Sequence, residues 1–199
     1  MAISQAVGVV EAWYLDRALP PLFKVVETLD GAPELIACLK ALGYRPRTET
    51  LTMAGPTALS SGSDVQISEA LSDDFIRVFS ALGSDPADTQ ERLDALVRAP
   101  KPRAFACLAA DGVPAAIGAC AIEGEFAGVF AMRTHPGHRR KGLARQVLRA
   151  LLAWARAGGA NQAYLQVEAN NLPAVELYAQ TGFMEAYRYR YWSRCSVRP

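Results

Sequence analysis

Residues Arg139, Arg140, Lys141, Gly142, Leu143, Ala144 and Arg145 place three cations and a glycine directly ahead of an amphipathic run. Leu143, Val147, Leu148, Leu151, Leu152 and Ala155 recur at steps of three and four, and Gly158 with Gly159 stops the run, so the spacing predicts a helix. Ahead of the loop, Phe126–Thr134 is apolar and bounded by His135, Pro136 and Gly137, which predicts a strand. Strand, loop and helix in this order leave the unpaired NH groups of the first helical turn, and the positive end of the helix dipole, facing the loop. That is a site for an anion, and the chemistry it suits is the binding of a phosphate-bearing cofactor. Gly142 lets the backbone approach such a group closely.

A second set of residues follows. Residues 163–167 read as a short buried strand, and 170–178 as a helix capped by Asn170 or Asn171 with Pro173 in its first turn, where a missing NH costs little. The helix stops at Gly182 and Phe183, and 184–192 alternates aromatic and charged residues like a strand. The loop reads Arg139-x-x-Gly142-x-Ala144 and the later segment Asn171-x6-Tyr178-x3-Gly182-Phe183. In these two signatures the chain resembles the Gcn5-related N-acetyltransferase (GNAT) family. The resemblance is plain over 105–192 and extends back to 64.

The resemblance implies an α/β fold of the acyl-CoA N-acyltransferase kind: a central twisted mixed sheet flanked by helices, with acetyl-CoA between two splayed parallel strands. It implies that the backbone of Met132, Arg133 and Thr134 pairs with the pantetheine arm. The loop and first turn (Arg139, Arg140, Lys141, Gly142, Leu143, Ala144, Arg145) would cradle the pyrophosphate, Asn171 would contact CoA, and Tyr178 would protonate the departing thiolate. The implied activity is transfer of acetyl from acetyl-CoA to a primary amine by direct attack, with a small metabolite as acceptor. A protein N-terminus or lysine, and a CoA-binding module without turnover, stand as the alternatives.

An alkyl amine with a pKa of about 10.4 is protonated at neutral pH, so such a site needs a route for a proton. Relatives that acetylate protein N-termini carry a Glu five residues before the Asn; here that position is Gln166, which cannot act as a base. Glu123, Glu125 and Glu168 are the carboxylates nearby in sequence, and the choice among them stays open. His135 and His138 read as solvated turn residues, and Trp154 as core.

The remaining elements lead up to this site. A strand at 65–67, helices at 73–82 and 85–97, and strands at 103–109 and 114–122 joined by Asp111 and Gly112 precede the strand that carries Met132. The N-terminal third reads as strand (22–26), helix (33–42), stop at Gly43 and Tyr44, and strand (48–53). Leu39-x3-Gly43-Tyr44 echoes Tyr178-x3-Gly182-Phe183 with Leu39 in place of the tyrosine. Residues 1–58 are therefore expected to be a degenerate, non-catalytic GNAT-like half, packed on the catalytic domain at 64–199 or on a second copy of the chain as a homodimer. Residues 54–63, rich in small polar residues and turn formers, read as the linker.

Composition bounds the alternatives. The 199 residues are 51% hydrophobic and carry a formal charge of +1, which argues against a nucleic-acid partner and suits one globular domain or slightly more. Four cysteines without a C-x-x-C pair indicate neither a zinc site nor a disulfide framework. With no signal peptide and no apolar run long enough for a bilayer, the expected location is the cytoplasm, away from membranes.

Overall fold

The computed structural model describes residues 2–57, 64–81 and 85–194. Its elements are α1 (Ile3–Leu15), β1 (Leu22–Val26), α2 (Ala32–Ala41), β2 (Arg45–Pro56), β3 (Gln66–Ser68), α3 (Asp73–Ser80), α4 (Pro86–Val97), β4 (Arg103–Ala110), β5 (Val113–Glu123), β6 (Phe126–Thr134), α5 (Leu143–Ala157), β7 (Gln162–Glu168), α6 (Leu172–Ala179) and β8 (Met184–Ser193). The fold is mixed α/β, and it divides into two compact units: residues 1–53 with 167–176 and 185–199, and residues 54–166 with 177–184.

In the second unit the strands lie in the order β7, β6, β5, β4, β3. β6 and β7 are parallel, while β6–β5, β5–β4 and β4–β3 are antiparallel, so the sheet is mixed as expected. α5 buries Leu143, Val147, Leu148, Leu151, Leu152 and Ala155, the stripe legible in the sequence. α3 and α4 pack Phe75, Val78, Phe79 and Leu93 against Phe105, Ile117 and Ala119 of the strands. Burial of this many large side chains, each worth roughly 1.5–3 kcal/mol, is what holds the layers. Local signals set the helix starts: the Ser72 hydroxyl accepts from the Phe75 NH at 3.1 Å, and the Asp85 carboxylate from the Ala87 NH at 2.9 Å.

The first unit places β8 between β1 and β2. β1 pairs antiparallel with β8 from Leu22 opposite Ser193 to Val26 opposite Tyr189, and α1 and α2 pack Val7, Ala32 and Leu39 with Phe23, Val25, Tyr44 and Trp192. The compact units are not contiguous along the chain: residues 185–193 of β8 lie in the first unit although they follow the second in sequence. A strand's partner is chosen across the fold, where no neighbour along the chain reveals it.

One helix went unread and one reading changes. α1 carries no clean apolar stripe, since Val9, Trp13 and Leu15 are exposed and Val7 alone is buried, so periodicity did not reveal it. Of the expected linker, residues 54–56 instead finish β2, and the Thr57 hydroxyl donates to the Ala160 carbonyl at 2.9 Å. Gly55 packs so closely that a Cβ there would lie 2.9 Å from the Gly182 carbonyl oxygen. Residues 58–63 of that reading lie outside the described residues, as does Cys195.

Candidate active site

The site grows from a break in the sheet of the second unit. β6 and β7 pair from Phe126 with Gln162 as far as Val129 with Leu165, and β6 then continues to Thr134 without that ladder. The cause of the divergence lies in β6. On its other side Phe130 faces Ala119 and Arg133 faces Ile117, so three steps on β6 span two on β5: one extra residue is held in a bulge. Ala131 sits in this bulge with φ of 54°, a left-handed conformation rare for a residue with a Cβ. Opposite it, Gly118 leaves the space that the Met132 sulfur occupies; a Cβ at 118 would lie 2.4 Å from Met132 Sδ. The bulge takes backbone groups of 131 and 132 out of regular pairing at the point where the strands separate.

The strand leads through a 3-10 turn, Pro136–His138, to the loop and α5. Gly142 is the N-cap of α5 at φ of 77°, and a Cβ there would meet nothing within 4 Å, so backbone conformation and not crowding calls for glycine. Helical bonding starts with the Gln146 NH donating to the Gly142 carbonyl at 3.2 Å, leaving the earlier amides of the turn without partners inside the helix. Arg140 adopts φ of 60° just before it. These features fit the phosphates of a CoA ester: a glycine-opened helix start, exposed Arg139, Arg140 and Lys141, and a strand whose pairing is interrupted by a bulge.

Side chains of the loop are partly committed. Lys141 Nζ stands 3.6 Å from an Asp111 carboxylate oxygen, both well exposed, a pairing worth little in water. Arg145 donates to the Gln180 side-chain oxygen, tying the first turn of α5 to the segment just after Tyr178, a link that no sequence spacing signals. The Arg133 guanidinium lies 3.6 Å over the Phe79 ring and donates to the Phe79 carbonyl; burial lowers its pKa from the ordinary value. Its side chain therefore braces α3, and only its backbone remains for a cofactor.

Tyr178 is 6% exposed, and burial pushes its hydroxyl up to about 12. Its ring lies 6.2 Å from that of Phe183. Among the described residues its hydroxyl has no hydrogen-bond partner. Asn171 belongs to the first unit, at the head of α6, where its carbonyl accepts from the NH groups of Ala174 and Val175, each at 3.0 Å.

A cleft of about 690 Å³ opens along β6 and β7. Glu123 and Gln166 line it; Glu125 does not, and Glu168 lies in the first unit. His135 and His138, read as solvated turn residues, line a separate cavity of about 220 Å³ with Arg77, Val78 and Pro114. His138 is half-buried, and Trp154, read as core, is half-buried as well. Burial raises the Cys120 thiol to about 12. Among the described residues no helix is long and apolar enough to cross a membrane.

Solved structures share this architecture. A GCN5-related N-acetyltransferase from Sphaerobacter thermophilus superposes with a TM-score of 0.71 at 18% identity, covering 95% of this chain and 66% of that one. In sequence, the uncharacterized N-acetyltransferase YobR of Bacillus subtilis (strain 168) is 36% identical over 76 residues, 38% of this chain and 31% of its own. Streptothricin acetyltransferase of Streptomyces lavendulae is 33% identical over 103 residues, 51% of this chain and 52% of its own. The chain thus spans about half or less of the length of these two relatives. The sequence pattern of the acetyltransferase (GNAT) family matches residues 65–183, more than half of the chain and all of the strand, loop and helix described above, and the chain belongs to that family.

Proposed function

We propose that the chain is an N-acetyltransferase that moves the acetyl group of acetyl-CoA to a primary amine of a small molecule. The observation that carries this reading is the interrupted β6–β7 ladder running through a bulge into a glycine-capped helix start. The backbone of Met132, Arg133 and Thr134 would hold the pantetheine arm, the amides from Arg139 to Arg145 the phosphates, and Asn171 a further part of CoA. When bound, acetyl-CoA supplies the thioester carbonyl that the amine attacks.

The chain's own part is to position and to manage protons. Tyr178 Oη keeps its proton at neutral pH, as a tyrosine at the ordinary value of 10.0 would, and burial raises it further, to about 12. An ordinary thiol has a pKa of about 8.5, so complete transfer from Tyr178 to a thiolate runs uphill and the hydroxyl acts chiefly by donating a hydrogen bond as negative charge gathers on sulfur. A cleft of about 690 Å³ matches a small molecule better than a folded protein, and the name of streptothricin acetyltransferase also points to a small-molecule acceptor. Gln166 in the cleft weighs against a protein N-terminus. The retained tyrosine weighs against a module without turnover. A cytoplasmic location, and a non-catalytic role for residues 1–58 on the catalytic domain or on a second copy, belong to the same reading.

The test is binding first and turnover second. Acetyl-CoA at 100 times its dissociation constant adds about 2.7 kcal/mol to stability, where NAD and ATP add nothing. An unchanged melting temperature at millimolar acetyl-CoA overturns the proposal. Titration is expected to give one acetyl-CoA per chain; two equivalent sites would remove the non-catalytic role of the N-terminal third. A screen of amines for release of free CoA then identifies the acceptor class.

A further inference from the structure

From the lining of the cleft we infer that the acceptor carries a second positive charge, on the order of 10 Å from the nitrogen that is acetylated; this rests on the activity proposed above. The cleft follows one face of three strands, where cross-strand partners stand side by side: Glu123 beside Phe126, and Ala121 beside Gly128 beside Tyr164. Gly128 is what makes room. A Cβ there would lie 3.0 Å from the Tyr164 hydroxyl and 3.1 Å from its ring carbon Cζ, so the Tyr164 side chain lies across β6 as part of the cleft wall. Phe126 is 55% and Tyr164 44% exposed, unusually open for aromatic side chains on a sheet face.

The charge of the lining is one-sided. Glu123 is its single carboxylate, no Lys or Arg lines it, and among the described residues the Glu123 side chain makes no hydrogen bond or ion pair. Exposed aromatic faces beside an uncommitted carboxylate favour a cation and disfavour an anion. Position separates this carboxylate from the chemistry. The lining runs from Glu123 and Phe126 at one end of β6 to Ala131 at the bulge. Five residues of strand at roughly 3.3 Å each put these ends about 16 Å apart, and side-chain reach shortens this to on the order of 10 Å. Glu123 therefore cannot serve the reacting amine, which must be uncharged to attack; it reads a distant cation instead. An acceptor bearing a carboxylate or phosphate at that end meets Glu123 as a like charge.

Three straight-chain amines of similar length test this: 1,8-diaminooctane, octylamine and 8-aminooctanoic acid. The expected order of kcat/KM is diamine, monoamine, amino acid, with about fivefold between the first two, carried by KM. Glu123→Gln brings the diamine down to the monoamine without changing kcat, and Glu123→Lys makes the amino acid the best of the three. Stabilisation by acetyl-CoA alone is unchanged in both variants. Equal kcat/KM for the three amines, a preference that survives Glu123→Gln, or failure to acetylate the diamine while acetyl-CoA still stabilises the protein each overturns the inference. Loss of the acetyl-CoA effect in the unaltered protein overturns the proposed activity instead.

Discussion

The ends of α2 and α6 are built alike and hold different chemistry. At α2 the Tyr44 NH donates to the Leu39 carbonyl at 2.9 Å and the Gly43 NH to the Lys40 carbonyl at 3.0 Å; at α6 the Phe183 NH donates to Tyr178 and the Gly182 NH to Ala179, both at 3.0 Å. Gly43 and Gly182 have φ of 83° and 91°. Both are Schellman caps, in which a left-handed glycine lets two trailing amides satisfy the last carbonyls. α5 ends in the same way, with Ala160 bonded to Ala155 and Gly159, at φ of 96°, to Arg156. The shared spacing that suggested a repeat is thus accounted for by a helix stop. What distinguishes the two ends is the residue the cap holds: Leu39, fully buried, or Tyr178, a buried ring whose hydroxyl has no hydrogen-bond partner among the described residues. Tyr44 makes the contrast sharper. Its hydroxyl is also raised to about 12, but it donates to Glu11 Oε1 at 2.7 Å and is spent on structure.

The largest expected effect is on the structural side. Leu39→Ala is expected to cost about 2–5 kcal/mol of unfolding free energy, read by urea denaturation, with kcat per folded molecule unchanged. A fall in kcat at full folding would break the comparison. On the other side, Tyr178→Phe keeps the ring and is expected to lower kcat by roughly ten to a thousand fold, with acetyl-CoA affinity within a few fold, while Tyr44→Phe leaves kcat alone. Wild-type kcat in Tyr178→Phe would reduce α6 to a second copy of α2.

Gly142→Glu is expected to abolish the stabilisation of about 2.7 kcal/mol by acetyl-CoA, because it adds a negative charge at the helix start. Gly142→Ala suffers only the strain of a positive φ and retains it; retained binding in the Glu variant would misplace the phosphate loop. Gly43→Ala and Gly182→Ala are expected to cost about 1 kcal/mol each, equally, since a Cβ meets nothing within 4 Å at the first and only Pro56 Cδ at 3.9 Å at the second. Unequal losses in thermal unfolding would show that the caps differ after all.

The smallest effect is read by pH, at both tyrosines. A folded pKa of about 12 lies above the ordinary value of 10.0, so Tyr44 and Tyr178 stabilise the folded state fully below pH 10 and lose that contribution as pH rises towards 12. Ultraviolet titration should show one late-ionising hydroxyl fewer in each Phe variant, and a normal titration of Tyr178 would contradict its burial.

Local order was legible in the chain because its causes are local. The stripe Leu143, Val147, Leu148, Leu151, Leu152 drives one helix face inward whatever the neighbours are, Asp85 caps the turn that follows it, and β6 came out at Phe126–Thr134 as read. The loop signature and the Asn171 to Phe183 spacing were likewise sufficient to indicate the family. Tertiary structure decided the rest, since each feature depends on residues far apart in sequence: β8 lying between β1 and β2, the brace from Arg133 to Phe79, the tie from Arg145 to Gln180, and a cleft opened by Gly128 under Tyr164. α1 belongs with these, for only its packing in the first unit, not any periodicity of its own, marks which of its faces is buried. Periodicity and capping act within a few residues, whereas strand partnership and the shape of a cleft are settled only when distant segments meet.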